Sequence, residues 1–163
     1  MASPASIAKH PIHPMLVAFP IGLLVFSLTC DLIQLSGWGG AVWADVALYT
    51  MAGGIVGALL AAVPGLIDLL SLSGRPKTLG IWYMCINLLV VAIFAVDFWL
   101  RTTEVATSNT PVLLSVIGVA LLCVSGWLGG QMVYVYGVAV EPQAKPRPLD
   151  STRSEGHMPK RVA

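Results

Sequence analysis

Charge is what this sequence has least of. Of its 163 residues only 10% are Asp, Glu, Lys or Arg, against roughly a quarter in an ordinary soluble domain. The net charge is +1 and no Lys/Arg stripe interleaves with aromatic residues, which excludes nucleic acid as a partner. Cysteine is scarce as well: Cys30, Cys85 and Cys123 fall on three separate apolar stretches without a short ligand spacing. That pattern argues against a disulfide framework and against a structural zinc site, and leaves them as small core hydrophobes. No Ser-His-Asp arrangement, phosphate loop or HExxH motif is present, so the chain reads as a non-enzyme with no catalytic residues.

What is abundant is apolar surface. Hydrophobic residues make up 56% of the chain, more than a water-soluble fold of this size could hide. Four apolar runs, about 14–36, 44–72, 79–100 and 111–138, are each long enough to cross a bilayer. The expected fold class is all-α, a transmembrane four-helix bundle. Its expected parts are a flexible leader over 1–8, the membrane domain over 9–140 and a disordered cytoplasmic tail over 141–163. A secretory signal peptide does not fit the start, because the first run exceeds the roughly 7–15 residues of a signal core and no small-x-small cleavage pattern closes it before Asp31.

The basic residues fix the expected orientation. Lys9 precedes the first span, Arg75 and Lys77 lie between spans two and three, and Lys145, Arg147, Arg153, Lys160 and Arg161 follow span four. The other two connections hold only Arg101, beside Glu104. Positive residues stay inside, so the topology is N-in/C-in, a multi-pass protein with both termini cytoplasmic.

Span one opens with two His-Pro pairs, Pro14 serving as its first helical residue and Pro20 favouring a kink. A Gly-Trp-Gly-Gly turn, Gly37–Gly40, then makes span two its antiparallel neighbour, with Trp38 and Trp43 suited to the outer headgroup belt. Span two carries Gly53, Gly57, Ala61 and Gly65 at steps of four, a face on which another helix backbone can approach closely. Its expected companion is span four, with Gly126 and Gly130. Pro64 interrupts span two near its inner end, and the segment from Ser71 to Lys77 reads as a basic inner loop. Beyond Pro142 the chain is rich in Pro and charge, and His157 there reads as solvated.

Depth along the spans gathers the polar residues into two groups. His10, His13, Asp68, Tyr83, Asn87, Gln131, Tyr134 and Tyr136 all fall at the inner level, one or more from each helix. Polar side chains in a spanning helix are costly unless they face the bundle and find partners, which predicts an inner polar cluster. An outer group joins Asp31, Asp45, Asp97 and Arg101. Asp97 and Arg101, four apart on one helix, can pair as an interfacial anchor. Two of the three carboxylates lack an obvious cation, which leaves one to be protonated or solvated.

The histidines admit three readings: they cap and anchor the start of the first helix through Asp68 or backbone carbonyls, they bind a metal or haem, or they relay protons. Haem held between two helices needs a second intramembrane imidazole, and spans two, three and four contain no histidine.

The HPIHPMLVAFPIGLL opening, the small-rich second span ending in PGLIDLL, the Asn of span three and the closing GWLGGQMVYVYGV together resemble the DUF2231 family of small bacterial four-helix membrane proteins. The resemblance covers about 9–140 and implies a bacterial inner-membrane location. Relatives next to or fused with Rieske-type iron–sulfur domains imply membrane redox chemistry. Members similar to haem cytochromes carry extra histidines where this chain has Tyr83 and Tyr136, a departure that counts against haem here.

The leading expectation is a non-enzymatic accessory or assembly subunit beside a membrane redox protein, using the inner cluster to dock that partner or a quinone head group, with no cofactor of its own. The alternative is a haem- or metal-binding electron carrier using His10 or His13, with a second protomer supplying the other ligand. A small-solute or proton transporter is a third reading, although the two halves show no sequence symmetry. The small-residue faces also suit a homodimer.

Overall fold

The structure, a computed structural model, describes residues 4–8, 10–103 and 109–140. The 141–163 tail, Lys9 and Glu104 lie outside the described residues. Four helices follow a small hairpin: α1 Ile12–Leu35, α2 Val42–Ser71, α3 Gly74–Thr102 and α4 Thr110–Tyr134. All four are long and apolar enough to cross a membrane. At 1.5 Å per residue they measure roughly 36–45 Å, more than the roughly 30 Å hydrocarbon layer. Large apolar side chains such as Phe19, Leu60, Val63, Leu89 and Leu113 point away from the bundle, as lipid-facing residues must. The protein is a multi-pass membrane protein.

The helices pack in an up-down-up-down ring in which α1 lies against α2, α2 against α3, α3 against α4 and α4 against α1. Spans two and four are therefore diagonal, and the expected partnership between their small-residue faces is not formed. The stripe on α2 serves α1 instead. A methyl group added at Gly53 would lie 3.2 Å from Leu23 Cδ1, and one at Gly57 would lie 3.4 Å from Pro20 and Phe19. Gly126 and Gly130 face open space. On α4 the close approaches are at Gly118, against the Phe94 ring, and Gly129, against the Tyr83 ring. Leu24, Met51, Val90, Phe94 and Leu122 form the central core.

Helix ends differ from the sequence expectation at the start of α3 and the end of α4. α3 starts at Gly74, whose φ of +63° follows an extended Ser73, so Arg75, Pro76 and Lys77 belong to its first turn rather than to a loop. Proline loses no helical bond there. α4 ends at Tyr134 rather than near 138, because positive φ at Gly137 and Ala139 turns the chain back and lets Val138 N donate to Met132 O at 2.9 Å. Val138 then packs on Leu69 and Leu72 at the end of α2. Ahead of α1, Ser6–Ile7 (β1) pairs antiparallel with His10–Pro11 (β2), and Ala5 O accepts from Ile12 N at 2.9 Å.

The Gly37–Gly40 turn has positive φ at Gly37, Gly39 and Gly40, conformations that glycine adopts without steric penalty. Trp38 and Trp43 stack beside it with centroids 6.2 Å apart.

Candidate functional site

Two polar sites sit at opposite ends of the bundle. One lies where α1 and α3 begin and α2 and α4 finish. Its centre is His13 in the first turn of α1, whose Nδ1–H donates to the Ala61 carbonyl of α2 at 2.8 Å. The local sequence makes this bond possible. Pro64, inside α2, lacks the N–H that would close the ladder at Leu60 and loosens that turn. Gly65 clears the space: a Cβ there would lie 2.8 Å from both His13 Cε1 and Nδ1. A carbonyl oxygen only accepts, so the neutral His13 ring carries its proton on Nδ1 and presents Nε2 as a lone-pair acceptor. Among the described residues Nε2 has no hydrogen-bond partner.

The edge of the His13 ring meets Tyr83 of α3, centroids 6.2 Å apart at 87°. Tyr83 leads on to α4, since the neighbouring Asn87 Nδ2 donates both to Tyr83 O at 2.7 Å and to Ser125 Oγ at 2.6 Å. All four helices are thus linked at one level through His13, Ala61, Tyr83, Asn87 and Ser125.

Other residues assigned to this cluster from the sequence lie elsewhere. His10 is exposed and donates to Ala8 O at 2.9 Å. Asp68 accepts from Ala5 N at 3.2 Å and so anchors the leader. Gln131 is half-buried, and its carbonyl accepts from Val135 N and Tyr136 N in the closing turn. Tyr134, the last residue of α4 and 90% exposed, is on the outer side of the helix, and Tyr136 lies exposed beyond the helix end. Ser125 was not singled out as a site residue; a hydroxyl on the buried stripe of a span was the available signal.

The second site lies near the opposite ends of α1, α3 and α4. Arg101 turns into the bundle instead of toward the headgroups. Its Nη1 and Nη2 donate to Asp31 Oδ1 and Oδ2 at 2.6 and 2.7 Å. Its Nε donates to Asp97 Oδ1 at 2.9 Å, and Nη2 reaches Asp97 Oδ2 at 3.3 Å. Ser115 of α4 closes the set, donating to Asp97 Oδ2 at 2.7 Å and accepting from Nη2 at 3.2 Å. Asp31 is 4% exposed and Asp97 fully buried. The pair expected from i,i+4 spacing is therefore one half of a three-helix junction. Asp45 is not part of it: it is exposed in the first turn of α2, where a carboxylate complements the helix dipole. Ser115 had no sequence signal beyond its place in a span.

Among the described residues no three His, Cys, Asp or Glu side chains converge as metal ligands. His13 offers one imidazole nitrogen with the tautomer and carbonyl support that ligating histidines use.

No curated protein and no solved structure matches the chain. Residues 9–142 match the family model described as "Predicted membrane protein (DUF2231)", and the chain belongs to that family.

Proposed function

We propose that this protein is a non-enzymatic accessory subunit of a membrane redox partner, and that His13 offers Nε2 to a hydroxyl-bearing head group, that of a quinol or of the partner itself. It sits in the bacterial inner membrane with both termini cytoplasmic. One observation carries the reading: the Nδ1–H bond to Ala61 O fixes the tautomer and leaves, at the convergence of four helices, an acceptor without a donor among the described residues. A quinol O–H is a donor of the right kind. The polar groups around it form helix-to-helix bonds and contain no nucleophile–base pair.

The test uses the full chain in lipid nanodiscs and a short-tailed quinol analogue, with binding followed by tryptophan fluorescence. Saturable binding is expected in the wild type and in His10→Ala, and its loss in His13→Ala. Binding unchanged in His13→Ala, or absent in the wild type, refutes the proposal.

The same tautomer favours a second reading, a haem- or metal-binding electron carrier in which a second protomer supplies the other ligand. A Soret band in the protein purified in mild detergent, lost in His13→Ala, would establish it. A colourless and metal-free preparation would eliminate it.

A further inference from the structure

The Asp31–Asp97–Arg101–Ser115 junction contains two carboxylates and one guanidinium, so with both acids ionised it holds one net negative charge. Its carboxylates are almost wholly withdrawn from solvent. The other described basic residues, Arg75 and Lys77, stand in the first turn of α3, about 36–39 Å from Arg101 at the helical rise. Asp45 of α2 is exposed and adds only negative charge. Gln34, one turn past Asp31 on α1, adds a buried amide oxygen with no hydrogen-bond donor among the described residues. This end of the bundle therefore has a surplus of acceptors and a deficit of one positive charge. An uncompensated charge inside a membrane protein is costly.

We propose that the junction is a proton-binding site and that the proton resides on Asp97. The hydrogen bonds distinguish the two acids. Both oxygens of Asp31 receive short bonds from the two ends of the guanidinium fork, the geometry of an ionised, charge-assisted pair. A proton there would displace one of them. Asp97 Oδ2 instead faces the Ser115 hydroxyl at 2.7 Å, a distance at which either oxygen can be the donor. With the proton on Oδ2, Asp97 donates to Ser115 Oγ, keeps the Arg101 Nε bond on Oδ1 and leaves the junction neutral. The ion pair is then Asp31–Arg101, between α1 and α3, while the sequence-adjacent Asp97 is the neutral acid. No covalent bond other than the O–H bond forms or breaks when the site loads, and the Ser115–Asp97 hydrogen bond reverses its direction. The site is separate from the His13 end and independent of the function proposed for it.

Infrared spectroscopy of the full chain in lipid nanodiscs at pH 7, with and without 13C in the aspartate carboxyls, tests this. One carboxylic-acid C=O band that moves with the label is expected, and it disappears in Asp97→Asn. It also disappears in Asp31→Asn, where Asp97 becomes the sole counterion of Arg101 and ionises. In Ser115→Ala the band persists but shifts, because the acid has lost its acceptor. Absence of a labelled acid band in the wild type, its survival in Asp97→Asn, or an unshifted band in Ser115→Ala would each overturn the proposal. Should Asp97→Asn fail to assemble, the wild-type label and Ser115→Ala decide alone.

Discussion

Replacing Gly65 by alanine should drive the His13 ring out of its slot. The added methyl would sit 2.8 Å from both Nδ1 and Cε1 of the imidazole, well inside van der Waals contact, so the ring must rotate and its bond to Ala61 O is lost. The lost hydrogen bond costs about 0.5–1.5 kcal/mol and the overpacking about 1–3 kcal/mol. Alanine's better helix propensity returns up to about 1 kcal/mol. The net expectation is about 0.5–4.5 kcal/mol of destabilisation, read from unfolding in mixed micelles. The tautomer provides a readout that general destabilisation would not move: 15N spectra of labelled histidine should show His13 as a single Nδ1–H form in the wild type and a tautomer mixture in Gly65→Ala. A double-mutant cycle sharpens the test. With His13→Ala already in place there is no ring to displace, so Gly65→Ala should become neutral or stabilising by up to about 1 kcal/mol. A stabilising effect of that size in the wild-type background, with an unchanged 15N pattern, would refute the reasoning.

Other perturbations should sort by position. Gly118→Ala places a methyl 2.6 Å from the buried Phe94 ring and should cost about 1–3 kcal/mol, whereas Gly126→Ala and Gly130→Ala face open space and should be neutral or slightly stabilising; micelle unfolding midpoints compare them directly. Arg101→Met leaves Asp31 buried and unpaired and should cost about 3–5 kcal/mol, with Arg101→Lys losing less because it keeps the charge but not the fork. Asn87→Ala and Ser125→Ala break the same 2.6 Å bond and should each cost about 0.6–1.7 kcal/mol, the double variant little more than the worse single one.

The membrane architecture was legible because bilayer physics leaves few alternatives: an apolar run of some twenty residues is a helix, and four of them joined by short connections form a bundle. Helix neighbours were less so. The Gly53–Gly65 stripe declared a close-packing face on α2 without naming its partner, and α1 takes that place because the short Gly37–Gly40 turn keeps it adjacent along its whole length. Depth counting brought His13 and Tyr83 to one level, and Asp31 and Arg101 to another. It could not give the rotation of each helix about its axis, which decides that Asp45 faces outward while Asp31 and Asp97 face in. The same rotation turns Tyr134 outward at the end of α4, and Tyr136 falls outside the helix because two positive-φ residues, Gly137 and Ala139, end it a turn earlier than its hydrophobicity suggests. The roles of Ser115 and Ser125 depend on neighbours across a helix interface, and sequence spacing carries no record of those.

Four crossings put the start of α1 and the end of α4 on one side and the connecting turn of α1 and α2 on the other. Single cysteines at Ser6, Ser36 and Ser73, exposed positions at the leader, the first turn and the second connection, test this in a background where Cys30, Cys85 and Cys123 are alanine. Labelling with a membrane-impermeant thiol reagent on intact and on opened cells should modify Ser36→Cys from outside, and Ser6→Cys and Ser73→Cys only once the cytoplasmic face is open. Modification of all three from the same face would contradict it.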